Sequence, residues 1–377
     1  MSGVLIVGAG LAGARCAETL RALGFADRIR LVGEEPTAPY ERPALSKEVL
    51  AGERRPAELG LREPGWWDET AIELVLGRRV ESVDARARTA TLATGEELEW
   101  DELVLATGAR ARRLPIFPDL PGVHYLRSLA DALAFREELR PGRKLAIVGA
   151  GFVGTEVAST AVRLGVEVTL VDPTPPLVRV LGSEVSRLLV AHYADEGVEV
   201  VQSGVAAMTA DGDRLELTLD GEAKLACDTV LVAVGAEPAN DLLQSDAPHI
   251  ETDAGGRTRV ENVYACGDVA ASWHPLLGRR IRVEHWTDAA AQGAAVAHAI
   301  VGEDLPPRPL PYFWSDQFGL RLQYVGHAAE WETVEVEGGP TDFGARYLDG
   351  EGRPLAALLV NRPRELSALR RELAEAA

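Results

Sequence analysis

The chain is short of cysteine, lysine and long apolar runs, and each scarcity closes off a class of protein. Its three cysteines, Cys16, Cys227 and Cys266, lie far apart with no CxxC or CxxH spacing. That argues against a structural zinc site and against a disulfide framework, and a reducing, cytosolic setting is the simplest fit. No apolar run reaches the roughly 18 residues of a membrane span. The stretch Ala289–Val301, broken by Gln292 and His298, reads instead as a buried helix. Met1–Gly3 carries no basic region and leads directly into Val4-Leu5-Ile6-Val7, so no signal peptide is expected. Basic residues are outnumbered 39 to 58, for a net charge of −19. Such a surface repels a phosphate backbone and an anionic membrane.

What is present is the composition of a folded α/β protein. Apolar residues make up 46% of the chain and charged residues 26%, with mean hydropathy −0.03, which excludes disordered, collagenous and coiled-coil classes. At about 150 residues per domain, 377 residues imply two or three domains.

One supersecondary unit is written twice. Gly3–Val7 is a continuous apolar strand, Gly8-Ala9-Gly10-Leu11-Ala12-Gly13 a turn, Ala14–Leu23 a helix, and Arg28–Val32 the next strand. Lys144–Val148, Gly149-Ala150-Gly151-Phe152-Val153-Gly154, Thr155–Leu164 and Val166–Val171 repeat it. Strand-like runs Arg79–Val83, Thr89–Ala93 and Leu98–Ala106 lie between the copies, and Leu114–Pro121 reads as a crossing linker. Arg214–Leu219, Thr229–Val234 and Val263–Cys266 follow, with a second crossing at Glu237-Pro238. Leu305–Pro311 holds four prolines in seven residues and reads as the clearest linker. Beyond it, Tyr312–Ala377 alternates like strands and ends in a helix, Arg364–Ala376.

In a strand–GxGxxG–helix unit the first glycine permits the tight turn, the second lets a pyrophosphate approach the backbone, and the third lets helix and strand pack closely. The anion then sits on free N–H groups at the positive end of the helix. Gly8, Gly10 and Gly13 fill these positions in the first copy, and Gly149, Gly151 and Gly154 in the second. An acidic residue closing the following strand is expected to bond ribose hydroxyls, which points to Glu34 and Asp172. Gly235, at the second crossing, is counted with the second site. Two dinucleotide sites in one chain imply hydride exchange, with FAD and a nicotinamide as the expected pair. Asp172 favours NADH, since a carboxylate there repels the 2′-phosphate of NADPH. Arg179, downstream, is read as a solvated surface arginine.

The sequence resembles the oxygenase-coupled NADH–ferredoxin reductases, which include the putidaredoxin, rubredoxin and biphenyl-dioxygenase ferredoxin reductases, with the apoptosis-inducing flavoproteins as relatives. The motifs that carry the resemblance are Pro39–Lys47, Ala106-Thr107-Gly108, Tyr264-Ala265-Cys266-Gly267-Asp268, Glu284-His285-Trp286 and Phe313-Trp314-Ser315-Asp316-Gln317. It implies two Rossmann-like domains of glutathione-reductase-like architecture plus a small α+β C-terminal domain. Residues 1–112 with 236–306 would bind FAD, 113–235 would bind NAD, and 307–377 would form the third domain.

The resemblance also implies roles. Ala106-Thr107-Gly108 passes the flavin cofactor, and Asp268 after Gly267 accepts hydrogen bonds from the ribityl chain. Arg42 contacts FAD and Trp286 packs beside its ring. Lys47, one of three lysines beside 36 arginines, would lie by the flavin ring and pair with Glu156, which orients it and limits its desolvation cost. The expected activity is electron transfer from NADH through FAD to a ferredoxin or rubredoxin that serves a dioxygenase or cytochrome P450. An NADH-dependent redox switch of the apoptosis-inducing type is the alternative. No cysteine pair stands near residues 40–50, so dithiol chemistry is not expected. An acidic iron–sulfur partner would dock near Arg279, Arg280, Arg282, Arg308 and Arg321. The chain ends soon after Asn361-Arg362-Pro363-Arg364 and one helix, so the partner and dimer contacts carried by the family's longer tail are not implied here.

Overall fold

The computed structural model describes residues 3–212, 214–243 and 247–377. Met1 and Ser2, part of the N-terminal reading above, lie outside them. The chain divides into two compact units.

One unit comprises Met1–Glu41, Ala57–Arg110 and Glu237–Tyr312. Its centre is a five-stranded parallel sheet in the order Val263–Ala265, Glu102–Leu105, Val4–Val7, Ile29–Gly33, Ile72–Leu76. The strands Val4–Val7 and Ile29–Gly33 are buried along their whole length, which is why they read as unbroken apolar runs. Leu11–Ala22 follows the first strand as a helix and packs on the helix Trp286–Val301. The run Leu98–Ala106, expected as one strand, is two strands in different sheets, Glu97–Glu99 and Glu102–Leu105. The break falls at Trp100-Asp101, where the indole is buried and Asp101 Oδ2 accepts from the Gly3 amide at 2.8 Å. Glu97–Glu99 completes an antiparallel meander with Val80–Asp84 and Thr89–Leu92.

The other unit comprises Arg42–Pro56, Ala111–Ala236 and Phe313–Ala377. It repeats the parallel sheet in the order Glu199–Gln202, Glu167–Asp172, Lys144–Val148, Thr229–Val232, Val123–His124, and repeats the meander with Val205–Asp211, Arg214–Leu219 and Lys224–Cys227. The C-terminal strands form a five-stranded sheet beginning at Tyr312–Gln317, and Leu366–Ala376 is the final helix. Both glycine-turn helices start three residues earlier than periodicity indicates, at Leu11 and Phe152. The last residues of each turn are already helical, and only Gly10 and Gly151 remain extended as N-caps. Among the described residues no helix is long and apolar enough to cross a membrane.

The pairing of the two helices in the first unit depends on Gly293. A Cβ there would collide with the Ala12 carbonyl oxygen and lie 3.1 Å from the Cys16 nitrogen. Gly293→Ala is expected to lose about 1–3 kcal/mol of stability, from overpacking against backbone that cannot yield. Urea denaturation checks this, and an unchanged midpoint would contradict it.

Candidate functional site

Each glycine turn shows the same division of labour. Gly8 and Gly149 have φ of +117° and +106°, and a Cβ on either would collide with a carbonyl oxygen of the neighbouring strand's exit, Ala106 or Ala233. Gly13 and Gly154 pack the helix so closely that a Cβ would strike the carbonyl oxygen of Gly8 or Gly149. Gly10 and Gly151 differ, because a Cβ on them would meet nothing within 4 Å. That open approach lies at the start of a helix with no side-chain cap and no acidic residue in its first turn. The positive end of each helix is therefore left for an anion. Both turns fit a dinucleotide pyrophosphate.

Of the residues expected around the first turn, Glu34, Ala106, Thr107, Gly108, Gly267, Asp268 and Trp286 fall in the same unit, whereas Arg42 and Lys47 fall in the segment Arg42–Pro56 of the other. Glu34 follows the strand Ile29–Gly33 with its side chain exposed, while its neighbour Glu35 accepts from Tyr40 Oη at 2.7 Å. Ala106 is buried against Gly8. Thr107 Oγ1 donates to the Ala239 carbonyl at 2.6 Å, and the Gly108 carbonyl accepts from the Ala239 amide at 2.9 Å. Gly267, at φ +78°, starts the short turn Gly267–Val269 that carries Asp268. Trp286, half-buried, opens the helix Trp286–Val301.

In the second unit Asp172 closes its strand and does more than wait for a ribose. Its Oδ2 accepts from the Ala150 amide at 3.0 Å, inside the glycine turn, and its Oδ1 accepts from the Thr174 amide and hydroxyl at 2.8 Å. Arg179, largely exposed, stands 3.7 Å from it. Gly235, at φ +104°, accepts from the Arg112 amide at 2.9 Å. Arg42 donates from Nη1 to the Arg127 carbonyl at 2.7 Å.

Lys47 and Glu156 meet. Lys47 Nζ lies 2.6 Å from Glu156 Oε2, with 15% and 9% of the two side chains exposed. The carboxylate is further bonded by Ser46 Oγ at 2.5 Å and Ser315 Oγ at 2.7 Å, and Lys47 also donates to the Pro43 carbonyl at 3.2 Å. Three donors on one buried carboxylate compensate its lost hydration, as a buried charge requires. Lys47 Nζ donates as well to Ser46 Oγ at 3.4 Å. Gln317 Nε2 donates to Ser315 at 3.0 Å, and Tyr193 Oη to Gln317 Oε1 at 2.7 Å, so the network reaches into the helix Val178–Asp195. Ser46 and Ser315 were not singled out from sequence. Both stand inside the motifs quoted above, but nothing local marks their hydroxyls as partners of Glu156.

The structure corrects one of the docking arginines. Arg308 is buried, with its guanidinium on Asp288 at 2.9–3.0 Å, so it cannot face a partner. The proline-rich run holds it there, because it packs on the unit instead of spanning open solvent: His274 Nε2 bonds the Pro309 carbonyl at 3.0 Å and Thr287 Oγ1 the Tyr312 carbonyl at 2.6 Å. Arg282 is half-buried and donates from Nε to the Asp268 carbonyl at 2.7 Å. Arg279, Arg280 and Arg321 are exposed. All three thiols are free and buried. Burial pushes the Cys266 thiol up to about 12 and Cys227 up to about 11. Burial, with the Cys266 thiolate's repulsion added, raises Cys16 as well.

This geometry defines a two-dinucleotide oxidoreductase with no reactive thiol pair. The chain belongs to the pyridine nucleotide-disulphide oxidoreductase family, whose model matches residues 2–293, and the reductase C-terminal family matches residues 312–377. It is 37% identical to the ferredoxin–NAD(+) reductase component of the anthranilate 1,2-dioxygenase system of Burkholderia cepacia, over 99% of this chain and 94% of that one. Identity to the corresponding component of the biphenyl dioxygenase system of Paraburkholderia xenovorans is 38%, covering 98% and 92%. The crystal structure of the covalent putidaredoxin reductase–putidaredoxin complex superposes with a TM-score of 0.95 at 31% identity, covering 99% of this chain and 93% of that one.

Iodoacetamide at pH 8 is expected to leave all three cysteines of the folded protein unlabelled, because the thiolate is the nucleophile and none is populated. Mass spectrometry reads the result, and rapid labelling of Cys266 would contradict the burial described. Lys47→Met should cost about 3–5 kcal/mol of stability by leaving the Glu156 carboxylate buried beside hydroxyls alone, whereas Lys47→Met/Glu156→Gln should recover much of that loss. Thermal unfolding of both variants checks the pair.

Proposed function

We propose that the chain carries electrons from NADH through FAD to a small iron–sulfur protein, a ferredoxin or rubredoxin, that serves an oxygenase or a cytochrome P450. The observation that carries the reading is the duplicated glycine turn with an open approach at Gly10 and again at Gly151. The acceptor class follows from the relatives, which are ferredoxin–NAD(+) reductase components and a reductase joined to putidaredoxin. Residues 1–112 with 236–306 form the FAD-binding domain, 113–235 the NAD-binding domain, and 307–377 the C-terminal domain.

The chemistry supplied by FAD, when bound, is acceptance of a hydride and release of electrons one at a time. Around it the protein's tasks are holding and shielding. The turn Gly8, Gly10 and Gly13 holds the flavin dinucleotide's pyrophosphate at its open approach beside Gly10, Glu34 its ribose, and Ala106-Thr107-Gly108, Arg42, Gly267 and Asp268 the rest. Trp286 shields the ring. Gly149, Gly151, Gly154, Asp172 and Gly235 hold NADH. Lys47 presents its ammonium to the negative charge gained on reduction, and Glu156 keeps that ammonium oriented without a bare charge on either partner. Arg279, Arg280 and Arg321 steer an acidic acceptor, and the protein works in the cytoplasm.

The purified protein is expected to be yellow and to bleach on anaerobic addition of NADH at far lower concentration than NADPH, then to reduce an added ferredoxin rapidly. A colourless protein that takes up no flavin would overturn the reading, and slow turnover without ferredoxin reduction would favour the redox-switch alternative. Asp172→Ala should erode the preference for NADH, measured as the ratio of kcat/KM for the two nucleotides. Arg280→Glu should raise the KM for the acceptor roughly threefold at low salt, and less at high salt, and an unchanged KM at low salt would remove Arg280 from the steering surface.

A further inference from the structure

Arg308 and Asp288 keep only 6% and 2% of their side chains exposed. The guanidinium bonds both carboxylate oxygens at 2.9–3.0 Å. Its Nη1 donates to Ser272 Oγ at 2.8 Å and to the Trp273 carbonyl at 3.1 Å. A fully desolvated pair of this kind contributes little to stability beyond what apolar residues of the same volume give. Its geometry suits another use.

Asp288 has a further partner one helical turn along, Gln292, whose Nε2 donates to Oδ2 at 2.6 Å. Gln292 Oε1 in turn accepts from the Gly267 amide at 3.0 Å, in a buried position. A side-chain amide can point either way, and at Gly267 only one way works, because the backbone N–H needs an oxygen. An ionised carboxylate accepts and never donates, so Asp288 forces the NH₂ end of Gln292 toward itself and the oxygen toward Gly267. A carboxylate stays ionised in so dry a place only with a cation on it, and Arg308 is that cation. Arg282 fixes the far side of the same turn through the Asp268 carbonyl.

We propose that Arg308, Asp288 and Gln292 are positioning residues for the flavin site: the buried ion pair sets the polarity of the Gln292 amide, and the amide fixes the Gly267-Asp268 turn for FAD. The proposal rests on the reading that this turn contacts FAD.

The test uses the purified holoenzyme and measures flavin release as the rise in FAD fluorescence on dilution, with the dissociation constant for NAD(+) as control. Gln292→Met keeps the volume and removes the amide, and Arg308→Met/Asp288→Leu replaces the ion pair with apolar side chains. Each is expected to speed flavin release about tenfold, the effect of one mispaired buried hydrogen bond, with NAD(+) affinity unchanged. Asp268→Ala alone should also speed release. Adding Gln292→Met to it should add less than about twofold, since both changes act through one turn. A merely structural role would make the effects multiply, and that result would overturn the proposal. So would wild-type release from folded Gln292→Met while Asp268→Ala releases faster. Wild-type release from Asp268→Ala would instead remove the turn from the FAD site, and the proposal with it. If the double variant fails to fold, Gln292→Met alone decides.

Discussion

A parallel strand that must pass its chain into a helix lying on the same sheet leaves almost no room for the turn between them. The carbonyl of the next strand's exit presses on the first turn residue, and the turn's own carbonyl presses on the helix. Any side chain at Gly8 or Gly13 would part the layers. This crowding makes the site, because the turn pressed against the sheet on one side keeps an open approach on the other, at Gly10. The second copy meets the constraint in the same way, down to the extended backbone of Gly10 and Gly151. A binding surface for a phosphate is thus a by-product of close strand–helix packing, and only the missing first-turn acids make it attractive to an anion.

Charge burial is the second theme, and the chain treats it consistently. Glu156 enters the interior with Lys47, Ser46 and Ser315. Asp288 enters with Arg308 and Gln292. Glu18, also buried, is bonded by Arg62 and Arg15. In each case a carboxylate on a helix takes at least one partner distant in sequence, Lys47, Arg308 or Arg62, so the polar network ties separate segments to that helix. Such contacts specify an arrangement more than they stabilise it.

The parts of this molecule that are local in sequence were legible there. The glycine turns, the strands flanking them and Asp172 follow from spacing and apolar runs within about thirty residues. Lys47 stood out because the chain has so few lysines, but its union with Glu156 came through family resemblance, since no periodicity links residues 109 apart. Arg308 was misread for a physical reason. Four neighbouring prolines make its segment look like an open linker, and a basic residue in an open linker belongs to solvent. The carboxylate that draws it inward is 20 residues away, and nothing about Asp288 on its own helix announces a buried acid. The hydroxyls of Ser46 and Ser315 were hidden likewise, because a serine in a motif looks the same whether it bonds a carboxylate or water.

The buried thiols have a consequence outside the electron path. A reduced flavin exposed to air leaks electrons to oxygen, and the product of that leak is peroxide. Oxidation by peroxide climbs from the thiolate, and from accessible thioether sulfur. This chain holds its three cysteines protonated and out of reach and carries two methionines in all. A catalyst built this way leaves its own by-product little sulfur to attack.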